Sequence, residues 1–172
     1  LALSAMLCIG AVGCGKDVSS SADAAKTEIV YASTKDIMDI NPHLYTGEMA
    51  AQNMVFESLV TINNDGEIDP CLATSWEISE DGLEYTFKLR EDLTFTDGEK
   101  FNADAVKQNF DAVLSNFDRH AWLELVNQID KTEVIDEYTF KMTLKKAYYP
   151  SLTELALKRP FRMISPKCFI DG

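Results

Sequence analysis

Two stretches of the chain alternate apolar and polar residues with a period of two, which is the pattern of half-buried β-strands. The first covers residues 75–90 and turns at Asp81-Gly82, and the second covers residues 132–144 and turns at Asp136-Glu137. Each stretch therefore predicts a β-hairpin. A shorter β-rich segment at residues 28–33 predicts one further strand ahead of them.

Apolar residues recur at helical spacing between these hairpins. Asn102 has the short polar side chain that favours a helix N-terminus. The predicted apolar faces are Val106, Phe110, Val113, Leu114 and Phe117 in one helix and Trp122, Leu125, Val126 and Ile129 in the next. Shorter helices are predicted from Met49 to Leu59 and from Pro150 to Leu157. Hairpins with helices between them indicate a mixed α/β fold.

The first part of the chain predicts export rather than folded structure. Residues 1–12 are apolar apart from Ser4, but a membrane-spanning helix needs about 20 such residues. Residues 1–13 are therefore interpreted as the remainder of a signal peptide. Ala11-Val12-Gly13-Cys14 is similar to a lipobox, after whose cleavage the cysteine is acylated; the alternative is an ordinary signal with a chance cysteine. Residues 14–27 lack apolar periodicity, so a flexible tether behind a lipidated Cys14 is expected.

Charge and cysteine content restrict the function classes. The net charge is −12, which disfavours nucleic acid because phosphate binding needs clustered Lys and Arg. There is no GxSxG, HExxH or phosphate-binding glycine loop, so the sequence predicts no enzyme. No CxxC or Cys/His spacing indicates a zinc site. Cys71 and Cys168 remain in the folded part, and sequence leaves their pairing open.

Arginine and tryptophan side chains form the most informative pattern. Arg119 and Trp122 are three residues apart and would share one face of a helix, and Arg159 follows, with Arg162 as its competitor. Guanidinium groups bind carboxylates, and an indole offers a flat apolar face, so this pattern predicts a pocket for an organic anion. The alternative is a surface arginine lying over a core tryptophan. His120, beside an arginine, is expected to form hydrogen bonds rather than bind metal.

Further residues upstream, taken together with these, make the chain resemble a known protein family. Asn41-Pro42-His43-Leu44-Tyr45-Thr46 precedes Met49, and the run from Ser75 to Phe101 follows in the same order. With the segment 119–125, they make the chain resemble nickel-binding members of the peptide/nickel/oligopeptide family of extracytoplasmic solute-binding proteins of bacterial ABC importers. The resemblance implies that the ligand cleft contains Tyr45, Thr46, Met49, Arg119, Trp122 and Arg159. Taken alone, Tyr45 and Met49 would be interpreted as packing residues.

The resemblance also implies an architecture and partners. The fold would be the N-terminal part of a two-lobed, class II periplasmic-binding-protein-like structure, with residues 28–172 supplying a portion of the N-terminal lobe of a longer protein. The protein would be a monomeric lipoprotein on the outer face of the cell membrane, delivering cargo to ABC permease and ATPase subunits. No cofactor is expected, and a direct metal ligand would come from a histidine in the later half of such proteins.

The two arginines restrict the form of a nickel cargo. A bare Ni²⁺ close to a guanidinium would be repelled by roughly 4 kcal/mol per pair at an effective dielectric constant near 20. A small polycarboxylate chelator removes this conflict, since the complex is neutral or anionic and its carboxylates suit the arginines. The predicted cargo is therefore a metal–chelate complex. Alternatives are a dipeptide or oligopeptide in the same cleft, or a structural or adhesive lipoprotein without cargo.

Overall fold

The computed structural model describes residues 30–34, 36–45 and 47–170. The predicted signal peptide, Cys14 and tether lie outside these residues. The predicted strand at residues 28–33 is wrong over its described part, because residues 30–33 form no strand. Val30 and Tyr31 are 84% and 55% exposed. Their β-propensity reflects a fit to a half-buried pleated surface, and this segment buries no such face.

Residues 36–170 belong to a second unit, which contains all the helices and strands described. The helices are α1 (Met49–Val55), α2 (Ala103–Ser115), α3 (Phe117–His120), α4 (Glu124–Gln128) and α5 (Ser151–Leu155). The strands are β1 (Val60–Ile62), β2 (Ile68–Pro70), β3 (Ala73–Ile78), β4 (Glu84–Leu89), β5 (Ile129–Asp136) and β6 (Thr139–Leu144). A 3₁₀ turn, Pro166–Cys168, follows them. None of the helices in the described ranges is both long and apolar enough to span a bilayer.

Two antiparallel sheets result from these strands. β1 pairs with β2, and the larger sheet has the order β3-β4-β6-β5. Both predicted hairpins are confirmed, as β3–β4 and β5–β6, and the two hairpins join through β4 and β6. Gly66 and Gly82 have φ values of +84° and +70° at the turns that link β1 to β2 and β3 to β4. Glycine occupies this left-handed region without steric cost, which explains the predicted turn at Gly82 and the turn at Gly66.

The core lies between helix α2 and the larger sheet. Asn102 is the N-cap, and its Oδ1 accepts a hydrogen bond from the Ala105 N–H at 2.9 Å. Phe110 is fully buried, with its ring centroid 4.8 Å from that of Phe140 on β6 and 4.9 Å from that of Phe161. Val106, Phe110 and Val113 of the predicted apolar face are buried, as the sequence predicts. The inclusion of Phe117 in that face is wrong, because α2 ends at Ser115 and Phe117 begins α3.

Asn109 joins the same helix to the C-terminal segment through its side-chain amide. Its Nδ2 donates to the carbonyl oxygen of Ile164 at 2.9 Å, and its Oδ1 accepts from the Ile164 N–H at 3.0 Å. Nδ2 also donates to the Ala105 carbonyl at 2.9 Å. A buried amide with both ends bonded resembles a rung of a β-ladder, and it fixes residue 164 against α2.

The helix predicted around Trp122 is interrupted. α3 ends at His120, Leu123 is extended with φ −94° and ψ +120°, and α4 begins at Glu124. Ile129 is the first residue of β5 rather than a helical residue. Trp122 therefore lies in a turn, and the prediction that it shares a helix face with Arg119 is wrong. The Leu123 N–H donates instead to the His120 carbonyl at 3.0 Å, which closes this turn.

Replacing Phe110 by alanine tests the position of the core. Removal of a fully buried phenyl ring is expected to lower the free energy of unfolding by about 3–5 kcal/mol, because it leaves a cavity between helix and sheet. Urea denaturation followed by circular dichroism measures the change. Phe117→Ala is the matched control, since Phe117 is 44% exposed and its loss should cost less than about 1 kcal/mol. Equal losses for the two variants would contradict this position of the core.

Candidate functional site

The loop that carries Tyr45 is held by hydrogen bonds within itself and by one bond from α1. The Asn41 carbonyl accepts from the Leu44 N–H at 3.1 Å and from Nε2 of the buried Gln52 at 2.9 Å. Asp39 Oδ1 accepts from the Asn41 N–H at 2.8 Å. A Cβ at Gly47 would lie 1.8 Å from the Asp39 carbonyl oxygen, so the two backbone segments touch and only glycine fits. The loop therefore presents Tyr45 from a fixed base.

The hydroxyl of Tyr45 connects this loop to the turn after α3. Trp122 Nε1 donates to Tyr45 Oη at 2.9 Å, and His120 Nδ1 lies 2.6 Å from the same oxygen. The tyrosine ring makes edge-to-face contacts with both partners, at centroid distances of 5.9 Å to Trp122 and 5.5 Å to His120. His120 is completely buried, whereas Trp122 is 61% exposed. We call Tyr45 and Trp122 the aromatic wall.

Arg159 lies over this wall. Its Cζ is 5.1 Å from the centroid of the Tyr45 ring, and its Nη1 donates to the Leu44 carbonyl at 3.2 Å. A guanidinium over a tyrosine face is attracted by the negative potential of the ring. Arg159 follows α5 and precedes Pro160 through a cis peptide bond. The aromatic wall and the C-terminal segment thus meet at one place.

Arg119 supplies a second positive charge beside the wall. It is exposed at the end of α3, where it helps to lower the pKa of Tyr45 and of His120 electrostatically. Burial acts on Tyr45 in the opposite direction and is the larger effect, so the pKa of its hydroxyl is raised above 10.0 and the hydroxyl stays protonated. Within the described ranges, neither Arg119 nor Arg159 forms an ion pair with a carboxylate. Both guanidinium groups are therefore free to bind an anion.

Arg162, the competing candidate, has a structural role. It is only 7% exposed, and it donates to the Phe56 carbonyl at 2.9 Å and to Asn53 Oδ1 at 2.8 Å. A third bond, to the Leu157 carbonyl, has a length of 3.3 Å. These acceptors satisfy the guanidinium inside the fold, so Arg162 joins α1 to the C-terminal segment and is not available to a ligand.

Two of the predicted site residues are not brought to this cluster by the described contacts. Met49 is the first residue of α1 and is 44% exposed, and no described contact joins it to Tyr45, Trp122 or Arg159. Thr46 lies outside the described residues. Three predicted residues, Tyr45, Trp122 and Arg159, are joined by described contacts, and Arg119 lies near enough to act on Tyr45 electrostatically. These four residues are taken as the candidate site.

Metal-binding groups and thiols add little to it. Among the residues with described positions, no group of three or more His, Cys, Asp or Glu side chains could hold a metal ion. Cys71 and Cys168 are both free thiols, which answers the pairing that the sequence left open. Burial is the larger cause of the raised pKa of the Cys71 thiol, and the negative charge of Glu57 raises it further.

Comparison with known proteins assigns the family. Residues 67–167 match the family described as bacterial extracellular solute-binding proteins, family 5 Middle, and this match covers more than half of the chain. The chain belongs to this family. The resemblance inferred from residues 41–46, 75–101 and 119–125 is thereby confirmed.

Individual family 5 proteins and structures agree with this assignment. The chain is 52% identical over 147 residues to the nickel-binding periplasmic protein of Escherichia coli K12, covering 85% of this chain and 28% of that protein. It is 34% identical over 158 residues to the glutathione-binding protein GsiB of Escherichia coli O1:K1, covering 91% and 31%. The chain therefore spans less than a third of the length of these relatives.

Two crystal structures of binding proteins show the same fold. NikA from Brucella suis, in complex with Fe(III)-EDTA, matches with a TM-score of 0.78 and 55% identity over 79% of this chain and 28% of that one. NikZ from Campylobacter jejuni, in complex with Ni(L-His), matches with a TM-score of 0.68 and 31% identity over 80% and 27%. The predicted mixed α/β fold, as part of a periplasmic-binding-protein-like structure, is confirmed.

Sequence reasoning assigned His120 a hydrogen bond, which is confirmed, but it missed which residue His120 contacts. Its partner Tyr45 is 75 residues away along the chain. The only local sequence signal for this role of His120 is its position between Arg119 and Trp122, two predicted site residues. His43, the other histidine, is also buried, and its ring lies 5.9 Å from that of Phe169.

The two buried histidines predict a pH-dependent stability. Burial and the nearby positive charge of Arg119 lower the pKa of His120 to about 4, and burial and His120 lower that of His43 to about 4, both from 6.5. The unfolded chain therefore binds more protons between pH 4 and 6.5, so stability is present above pH 6.5 and is lost as pH falls. At about pH 5 each histidine should lower the free energy of unfolding by up to about 2 kcal/mol.

Urea denaturation at about pH 7 and about pH 5 measures this loss. Carboxylates with lowered pKa values, such as Asp97 beside Ser165, contribute mainly below this window. NMR titration of the imidazole resonances is the direct control, and both rings should stay neutral at pH 5. A titration midpoint near 6.5 for both rings, with an unchanged urea midpoint, would contradict the prediction.

Proposed function

We propose that this chain is part of an extracytoplasmic solute-binding protein that captures nickel as an anionic metal–chelate complex for an ABC importer. The observation that carries the proposal is a pair of guanidinium groups, on Arg119 and Arg159, without carboxylate partners among the described residues, beside the aromatic wall of Tyr45 and Trp122. Carboxylate oxygens of a chelator suit these donors, and a bare cation does not.

The relatives support the choice of cargo. The E. coli relative at 52% identity is a nickel-binding periplasmic protein, and the matched NikA and NikZ structures contain a metal held by EDTA and by histidine respectively. In such a complex the carboxylates of the chelator offset part or all of the metal charge. The outer surface then carries carboxylates for the two arginines and flat portions for the aromatic wall.

A peptide is the second candidate cargo, and the resemblance to GsiB favours it. GsiB is a glutathione-binding protein, and the chain is 34% identical to it. A peptide also carries carboxylate groups that a guanidinium can bind. The lower identity and the nickel-binding relative at 52% favour the metal chelate.

Location and partners follow from the same proposal. Residues 1–13 would direct export, and residues 14–27 would hold the folded part, residues 28–172, near the outer face of the membrane through a lipidated Cys14. A loaded, monomeric binding protein would then deliver its cargo to permease subunits with their ATPase subunits. Thr46 and Met49 are retained as further candidate cleft residues on the resemblance.

Isothermal titration calorimetry tests the cargo. Nickel mixed with histidine should bind more tightly than nickel alone, a dipeptide or glutathione. Arg159→Ala should weaken that binding by roughly 10- to 100-fold, because it removes a charge-assisted hydrogen bond worth about 1.5–3 kcal/mol. Arg90→Ala is the matched control, since Arg90 is partly exposed and pairs with Asp92 at 3.2 Å. Tighter binding of glutathione or a dipeptide than of any nickel mixture would overturn the choice of nickel.

Substitution of the acylated cysteine tests the anchor. In cells that make the protein from its own gene, Cys14→Ser should move the protein from the membrane fraction to the soluble fraction, because the lipid supplies the membrane affinity. Detergent phase partitioning and mass spectrometry of the mature N-terminus measure the change. Cys168→Ser is the control, since that exposed thiol lies in the folded part. Identical partitioning of wild type and Cys14→Ser would contradict lipidation.

A further inference from the structure

The hydrogen bonds that join Trp122, Tyr45 and His120 have a direction. An indole N–H can only donate, so the Tyr45 oxygen accepts from Trp122. The hydroxyl keeps one proton, and the oxygen lies 2.6 Å from His120 Nδ1. The direction of this second bond depends on which ring nitrogen of His120 carries the proton, and His120 Nε2 is buried without a hydrogen-bond partner among the described residues. With the proton on Nε2, the chain runs from the indole through the phenol to the imidazole.

From this geometry we propose that His120 is the positioning residue of the aromatic wall: a neutral imidazole whose Nδ1 accepts the Tyr45 hydroxyl proton and thereby orients both Tyr45 and Trp122. The consequence for cargo rests on the proposed function, because it requires the wall to face the ligand. The hydrogen-bond chain itself does not depend on that function.

Burial makes His120 the fixed end of this chain. His120 is 0% exposed, while Trp122 is 61% exposed and Tyr45 is only partly buried. The turn that carries Trp122 is closed by the Leu123 N–H bond to the His120 carbonyl. His120 therefore holds the backbone of the turn directly and the Trp122 side chain through Tyr45. An exposed indole in a turn would otherwise sample several rotamers, and binding would have to order it.

The charges around His120 keep it an acceptor. Burial and Arg119 on the same helix both disfavour a second ring proton and lower the pKa of His120 to about 4. His43 interacts with it electrostatically and has a pKa of about 4 as well, so this neighbour is also neutral near pH 7. Arg159 lies over Tyr45, the hydrogen-bond partner of His120. A protonated His120 would lose the lone pair that receives the hydroxyl proton.

The aromatic rings and the arginines of the site would then have different roles. The polar edges of both rings are used within the protein, since the indole N–H goes to the phenol and the phenol O–H goes to the imidazole. The wall then offers cargo flat aromatic surface and no hydrogen-bond donor. Negative oxygens must be held by Arg119 and Arg159, so the wall selects for shape and the arginines select for charge.

NMR of the wild-type protein tests the assignment without any ligand. With ¹⁵N-labelled histidine, the ring proton of His120 should be on Nε2 at about pH 7, and Nδ1 should have the shift of a hydrogen-bonded acceptor. The Trp122 indole N–H resonance should shift in His120→Leu and be restored in His120→Asn, whose Oδ1 can accept at the position of Nδ1. A ring proton on Nδ1, or an indole resonance unaffected by His120→Leu, would overturn the proposal.

Affinity for nickel mixed with histidine tests the consequence for cargo. His120→Leu should weaken binding by roughly tenfold and His120→Asn by less than about threefold, since one neutral hydrogen bond is lost or kept. In a Tyr45→Phe background, His120→Leu should cause no further loss, because the acceptor acts only through that hydroxyl. His43→Leu removes the other buried imidazole and should destabilise the fold while leaving affinity unchanged. Additive losses for His120→Leu and Tyr45→Phe would overturn the positioning role.

The two proposals fail in different ways. If wild type binds no nickel–histidine complex, the proposed function is overturned, and the NMR assignment still decides the role of His120 in the wall. If wild type binds that complex and His120→Leu binds it equally well, the positioning role is overturned and the proposed function stands.

Discussion

A single phenolic hydroxyl, that of Tyr45, joins two irregular segments of this chain. The loop before α1 and the turn between α3 and α4 lie far apart in the sequence. His120 provides a buried acceptor 75 residues from Tyr45, and Trp122 donates to the same oxygen. The aromatic wall is therefore one cooperative unit, and Arg159 is placed by contact with that unit rather than by a helix or strand of its own.

Two arginines only three residues apart have opposite roles for a physical reason. Arg162 points into the fold, where backbone carbonyls and Asn53 satisfy its guanidinium. Arg159 stays at the surface, where Tyr45 and one carbonyl leave most of its donors unused. The segment that carries them has neither helical nor strand periodicity, so periodicity does not distinguish the two. The family resemblance indicates Arg159, and the tertiary acceptors explain why Arg162 is not available to an anion.

The parts of the structure that the sequence predicts are those with a local cause. Both hairpins follow from alternation and turn residues, and α2 follows from its N-cap and apolar period. The break at Trp122 was missed because the Trp122, Leu125, Val126 and Ile129 spacing fits a helix as well as it fits the observed turn, short helix and strand start. The hydrogen bond from Tyr45 to His120 has no local signal at all. Residue types thus indicated Arg119, Trp122 and Arg159 as candidates, the family resemblance added Tyr45, and long-range contacts decided how these side chains are arranged.

The side-chain amide of Asn109 shows how the candidate site could change without substitution of its own residues. It binds both backbone groups of Ile164, so the position of the segment around Arg159 depends on a residue in the middle of α2. An acid or an aliphatic residue there would remove one or both bonds without altering any group beside the aromatic wall. Substitution of Asn109 could therefore move the segment that carries Arg159 while every side chain of the candidate site stays the same.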